Sequence, residues 1–198
     1  MVAIIDYGAG NLHSVKNMLD YLGVKSQITG DADTILSADR VILPGVGSFG
    51  DAMKNLSDCG LTDVVRRAAD GSRPLLGICL GLHMLFESSE ESPGVEGLGI
   101  FKGKVVKIPQ HGLKIPHMGW NNITLSKESR ILPSNRPFVY FVHSYYINSD
   151  DKDIVSAYTE YGEKLDIAVE KGNIFAVQFH PEKSGDAGME IMKKFLCI

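Results

Sequence analysis

In the stretch Gly77-Ile78-Cys79-Leu80-Gly81, a cysteine stands between two glycines inside the apolar run P-L-L-G-I-C-L-G-L-H-M-L-F. This is the form of a nucleophile elbow, a sharp strand-to-helix turn that lifts a reactive side chain above a sheet. Small residues flank the nucleophile because the two backbones nearly touch there. A cysteine at that point also begins a helix, whose partial positive charge favours thiolate over thiol. Without such a setting an intracellular cysteine is more often one small, inert hydrophobe among others. The two glycines and the change from strand to helix pattern turn the reading toward chemistry.

A thiol nucleophile needs a base, and the base needs a group that orients its ring. Phe179-His180-Pro181-Glu182 supplies both, directly after another apolar run. Pro181 restricts the chain between them, so His180 and Glu182 can face one mouth, the carboxylate on one ring nitrogen and the sulfur on the other. The resulting order, Cys79, His180, Glu182, differs from the Ser, Asp/Glu, His order of the α/β-hydrolases. His-x-Glu also occurs in zinc deaminases, but the P-C-x-x-C partner required there is missing, and the six histidines form no H-x-x-x-H pair. No metal and no cofactor are expected.

Two glycine-rich stretches invite a nucleotide reading and fail it. In D-Y-G-A-G-N-L-H, His13 stands where a dinucleotide fingerprint needs its third glycine, and P-G-V-G has no Walker lysine. The net charge of −4 comes from 20 Lys+Arg against 24 Asp+Glu with no concentrated basic stretch, so nucleic acid is not an expected partner. The N-terminus lacks the flanks of a secretory signal, and no apolar run approaches the ~20 residues of a membrane helix. A cytoplasmic protein without membrane contact is expected. Cys59, Cys79 and Cys197 do not suit a disulfide framework, which leaves free thiols.

The elements that must position these residues follow from periodicity. Residues 2–5, 24–28, 41–43 and 75–78 read as short buried strands, with helices at 12–22, capped by Asn11 and closed by Gly23, and at 61–69. Such alternation implies an open, doubly wound, mainly parallel sheet with helices on both faces. Beyond about residue 98, strand patterns at 100–108, 120–125, 138–147, 154–161, 167–170 and 174–179 add antiparallel strands, and a helix at 187–196 ends the chain. At 198 residues the whole chain, 1–198, reads as a single domain. In open α/β sheets ligands sit at the carboxyl ends of strands. The loops after residues 5, 43 and 78 are therefore where chemistry is sought.

G-I-C-L-G together with F-H-P-E resembles the class I glutamine amidotransferases, the triad glutaminases. D-Y-G-A-G-N-L, L-P-G-V-G-S-F, P-H-M-G-W-N, F-V-H-S-Y and H-P-E-K-S are similar to one branch, the glutaminase subunits of imidazole glycerol phosphate synthase, in register over the whole chain. The resemblance implies that Cys79 attacks the side-chain amide of glutamine, that His180 protonates departing ammonia, and that Glu182 orients the imidazole. It implies an oxyanion hole from the N–H groups of Leu80 and Gly47. Glu91 would hold the α-amino group of glutamine, and Ser144 and Tyr145 its α-carboxylate. Position 83, commonly glutamine in this branch, is His83, which serves either as a substrate contact or as a satisfied core histidine.

The same resemblance implies a heterodimer with a (β/α)8-barrel cyclase subunit, which uses the ammonia. Asn11, Met118, Trp120 and Lys183 match interface positions, although Trp120, the only tryptophan, suits a core equally well. Two other readings stay open at this level: a cyclase-like paralogue in a sugar-modification pathway as the recipient, and a docking module without activity.

Overall fold

The computed structural model describes residues 1–198. Its first half alternates strand and helix: β1 (Val2–Ile5), α1 (Leu12–Tyr21), β2 (Ser26–Thr29), α2 (Ala32–Ser37), β3 (Arg40–Gly45), α3 (Phe49–Asp58), α4 (Thr62–Ala68), β4 (Leu75–Cys79) and α5 (Leu80–Met84). The second half is strand-rich: β5 (Ser88–Ser89), β6 (Gly103–Lys107), β7 (His117–Asn122), β8 (Thr124–Leu125), β9 (Phe138–His143), β10 (Tyr145–Ser149), β11 (Val155–Tyr161), β12 (Glu163–Lys171) and β13 (Ile174–Val177), closed by α6 (Gly185–Leu196).

Eight strands form one sheet in the order β2-β1-β3-β4-β13-β12-β11-β8. The first five are parallel to their neighbours and the last three antiparallel, as the change of texture near residue 98 implies. Every residue of β1 is buried. Ala3 and Ile5 face one core with Ile35 of α2, Phe49 and Leu56 of α3 and Val65 of α4. Val2 and Ile4 face the other with Val15 and Leu19 of α1 and Ile191, Met192 and Phe195 of α6. Burying both faces of the sheet requires continuous apolar strands, which is why these segments do not alternate with polar residues.

Several segments depart from the periodicity. Asn11 holds the N-cap position of α1 but makes no side-chain cap bond, because its φ of −87° and ψ of 61° are not the extended geometry that aims a side chain at the first free amides. Two helices, α2 and α3, lie where no helical pattern stood out; each begins at a short polar cap, Asp31 and Ser48, whose side chains accept from the amides of Thr34 and Asp51. The run 138–147 breaks at Ser144. Before it, β9 pairs with β7 in a two-stranded ribbon; after it, β10 pairs with β6 in a separate three-stranded sheet.

Close packing at the end of β4 sets the local geometry. A methyl group on Gly81 would collide with the carbonyl of Leu43 in β3, and one on Gly77 would lie 3.0 Å from the carbonyl of Gly81 and 3.1 Å from Ala176 Cβ. Neither neighbour is the flexible end of a side chain. Gly81→Ala is therefore expected to destabilise by about 3 kcal/mol or more, a fall in Tm of roughly 6–12 °C for a chain of this size. Gly60→Ala, at a φ of 69° with open space around it, should lose only the left-handed penalty of about 1–2 kcal/mol. Thermal unfolding of the two variants checks the order.

Candidate active site

Three strands that are neighbours in the sheet, β3, β4 and β13, run parallel and end together. Their carboxyl ends carry the loop of Gly47, the nucleophile candidate Cys79 and the turn of His180. Gly45 lies directly opposite Cys79 in the register of β3 and β4. Cys79 itself has a φ of 55° and a ψ of −108°, and it is the last strand residue before α5 begins at Leu80. A left-handed φ at a residue with a side chain is a strained arrangement, and packing on both sides has to hold it. The sequence expectation of a strand-to-helix elbow is thus met in backbone conformation.

His180 is buried, and its Nδ1 is 2.7 Å from Oε1 of Glu182, whose side chain is also buried. The turn that carries both is tied down on the backbone. The His180 amide donates to the carbonyl of Tyr140 in β9 at 3.0 Å, and Ser184 Oγ donates to the His180 carbonyl at 2.6 Å. Burial pushes the His180 pKa down, but Cys79 and Glu182 outweigh it and raise the pKa to about 9. No hydrogen bond of normal geometry reaches Nε2.

A pocket of about 310 Å³ opens over these groups and brings together Gly47, Cys79, Leu80, His83, Glu91, Ser144, Tyr145 and His180. Glu182 stands behind His180, away from the pocket. Glu91 has a second engagement: its Oε2 accepts the Phe49 amide at 2.8 Å, at the start of α3, which leaves Oε1 for a ligand. Gly47 has a φ of 100°, a conformation that glycine adopts without penalty. His83 is a satisfied buried histidine, one of the two readings the sequence left open, its Nε2 2.6 Å from Oε1 of Gln178, and it also borders the pocket.

The interface candidates lie outside the pocket. Asn11 borders a small gap shared with His180 and Glu182. Met118 is 61% exposed and Trp120 57% exposed, so Trp120 is not a core residue. Both project from β7 on the same face as Phe138 and Tyr140 of β9, and Phe138 is 60% exposed. Trp120 meets the Tyr140 ring edge-on at 6.2 Å, and Lys183 Nζ lies 5.9 Å above the same ring. The ribbon turns its other face inward, where His117, Phe141 and His143 are buried.

Sequence reasoning passed over three polar residues here. Gln178 is fully buried and its Nε2 is 3.8 Å from Cys79 Sγ. A polar residue within an apolar strand pattern is the signal that marks it. His117 Nδ1 and His143 Nε2 are 2.9 Å apart, and burial lowers their pKa values to about 4 and about 3, so both rings are neutral. Their motifs, P-H-M-G-W-N and F-V-H-S-Y, were visible, but nothing in one sequence pairs them. No group of three or more His, Cys, Asp or Glu is placed to hold a metal ion.

The His180 pKa carries a stability consequence. It rises from the ordinary 6.5 to about 9 on folding, so the stabilisation is fully present below pH 6.5 and is lost as pH rises through about 9. Glu182→Gln removes one of the groups that raise it. Denaturant unfolding below and above that window should show a smaller loss of stability for Glu182→Gln than for the parent chain.

The family model for class-I glutamine amidotransferases matches residues 3–198. The chain is 48% identical to the imidazole glycerol phosphate synthase subunit HisH of Caldanaerobacter subterraneus subsp. tengcongensis, over 98% of this chain and 97% of that relative. It is 45% identical to the subunit of the same name in Methanothermobacter thermautotrophicus, over 100% of this chain and 98% of the relative. Among solved structures, a crystal structure described as a glutamine amidotransferase superposes with a TM-score of 0.78 at 22% identity, over 99% of this chain and 97% of that one. The PurLQS structure from Thermotoga maritima gives 0.77 at 19% identity, over 99% and 97%. The strand-to-helix cysteine, the buried histidine–glutamate pair and a match that spans nearly every residue lead to one conclusion: the chain belongs to the class-I glutamine amidotransferase family.

Proposed function

We propose that this chain is the glutaminase subunit of an imidazole glycerol phosphate synthase. It hydrolyses glutamine to glutamate and ammonia, and a cyclase subunit uses the ammonia to make imidazole glycerol phosphate and an aminoimidazole carboxamide ribotide in histidine biosynthesis. The observation that carries the reading is the placement of Cys79, at a left-handed φ, beside a buried His180 that Glu182 holds through Nδ1, under a pocket large enough for one amino acid. The names of the relatives favour this pathway over a sugar-modification paralogue. A docking module without activity needs neither a strained cysteine nor a buried charged pair.

In the proposed reaction the Cys79 thiolate attacks the side-chain amide carbon of glutamine, and His180 holds the thiol proton on Nε2. The tetrahedral oxyanion is received by the Leu80 N–H, next after the nucleophile, and by the Gly47 N–H across the pocket. Collapse breaks the C–N bond, and His180 gives its proton to the nitrogen, which leaves as ammonia. A ring with its pKa raised to about 9 is protonated at neutral pH, the state an acid needs at this step. Water then attacks the glutamyl thioester with His180 as base, releasing glutamate and restoring Cys79. Glu91 is the proposed partner of the substrate ammonium, through the oxygen that α3 does not use, and Ser144 and Tyr145 of its carboxylate.

Ammonia released into neutral water is protonated and loses its nucleophilicity, so a recipient has to cover the mouth. We assign that recipient as a (β/α)8-barrel cyclase subunit in a heterodimer. The exposed apolar face of Met118, Trp120 and Phe138 beside the pocket supports docking there, with Lys183 over the Tyr140 ring of the same face and Asn11 at the small gap shared with His180 and Glu182. The reaction needs no cofactor, and a reducing compartment such as the cytoplasm keeps the Cys79 thiol free.

The test separates the two half-reactions. In the assembled enzyme, Cys79→Ala should lose glutamine-dependent synthesis by about four orders of magnitude and retain synthesis from added ammonium salts. His180→Ala should behave alike, and Glu182→Gln should keep more activity. Loss of ammonium-dependent synthesis in Cys79→Ala would contradict the division of labour.

A further inference from the structure

Gln178 follows β13 directly, and its side chain is completely out of solvent. A buried primary amide needs partners on both its ends. Its carbonyl Oε1 is 2.6 Å from Nε2 of His83, and its Nε2 is 3.8 Å from Cys79 Sγ. The backbone amide is used elsewhere, donating to Ile167 in β12 at 2.8 Å. The side chain is thus suspended between the nucleophile and a histidine on the elbow helix, one turn past it.

The polarity of this bridge depends on which nitrogen of the His83 ring carries the proton. Burial takes the His83 pKa down to about 4, against the opposing pull of Gln178, so the ring is neutral and one of its nitrogens carries a proton. In the orientation the structure shows, the carbonyl lies on the histidine side, where an Nε2–H donates to it, and the NH2 group lies on the sulfur side. Turned the other way, the carbonyl would face the sulfur and repel a thiolate. The titratable groups around the sulfur are His180 on the turn after β13, His83 on α5, Tyr7 after β1, His143 on β9, and Glu91 and Tyr145 in the same pocket, with Glu182 behind His180. Only His180 brings positive charge.

We propose that Gln178 stabilises the Cys79 thiolate through its side-chain N–H, and that His83 is the positioning residue that holds the amide in that orientation. This rests on the reading of Cys79 as the glutaminase nucleophile. The sulfur is then held by the imidazolium of His180 and by the amide of Gln178, while the pocket side stays open to the substrate carbonyl. His83 gains a role that does not require it to touch glutamine.

The experiment is the pH dependence of iodoacetamide labelling of Cys79 in the full chain, followed by peptide mass spectrometry. Gln178→Met removes the donor. Gln178→Glu keeps the size and the acceptor for His83 but places an oxygen at the sulfur. Both should move the labelling midpoint up by about one pH unit, or about tenfold less thiolate below the midpoint, with Glu at least as large as Met. His83→Gln, which can still donate to Oε1, should leave the midpoint near that of the parent, and His83→Leu should move it part of the way. A purely structural bridge would be preserved in Gln178→Glu, so a folded Gln178→Glu chain with the parent midpoint overturns the proposal. In the unsubstituted chain, the Gln178 side-chain amide resonance should titrate with Cys79, and a resonance unmoved by pH and by Cys79→Ser overturns it without any Gln178 variant. If the parent chain instead labels Cys79 no faster than the exposed Cys59 and Cys197, the nucleophile reading itself fails.

Discussion

The near-contact of two backbones, α5 at Gly81 against β3 at the Leu43 carbonyl, is the constraint on which the rest of the site depends. With any side chain at position 81 the helix would have to leave the sheet. With glycine it can start immediately after β4, and the turn then forces Cys79 into a left-handed φ with its sulfur over the strand ends. The same closeness makes the Leu80 amide the first free donor of α5, beside Cys79. Strain at one residue is therefore maintained by packing from β3, β4 and β13 together, each of them buried on both faces.

Around that fixed sulfur the fold arranges charge by adjacency in the sheet. β13 is the neighbour of β4, so the turn that follows it delivers His180 and Glu182, and the residue just before that turn delivers Gln178. β3 is the neighbour on the other side, and its loop delivers Gly47 and then the start of α3. Glu91 fastens that start through the Phe49 amide, which joins the pocket to the loop opposite Cys79. Tyr7, after β1, donates to the Pro44 carbonyl at 2.9 Å and secures the same loop from behind. The ribbon of β7 and β9 completes the wall: His143 is buried against the pocket, while Trp120 and Met118 face outward. One short ribbon thus borders the pocket with one face and presents an exposed apolar surface on the other.

How much of this was legible depended on whether the signal was local. The elbow was readable because its requirement, glycine on both sides of a nucleophile at a change of periodicity, is written in five consecutive residues. The His180–Glu182 pair was readable for the same reason. The parallel half of the sheet could be inferred from apolar runs buried on both faces. The helices α2 and α3 were missed because each is short or begins inside a glycine-rich motif, and only a single polar cap marks its start. The break at Ser144 was missed because residues 138–147 remain strand-like throughout, and the switch between sheets is made by tertiary pairing. The pairings of Gln178 with His83 and of His117 with His143 were out of reach for a different reason. The partners lie 95 and 26 residues apart, and only the folded sheet brings them within hydrogen-bonding distance.

The central claim is that the fold singles out one of three thiols as a nucleophile for glutamine. The most direct measurement is peptide mapping after exposure of the intact chain, assembled with its partner, to a glutamine-derived chloromethyl ketone with and without glutamine. The account predicts modification confined to Cys79 and prevented by glutamine. Modification spread equally over Cys79, Cys59 and Cys197, and indifferent to glutamine, would contradict it.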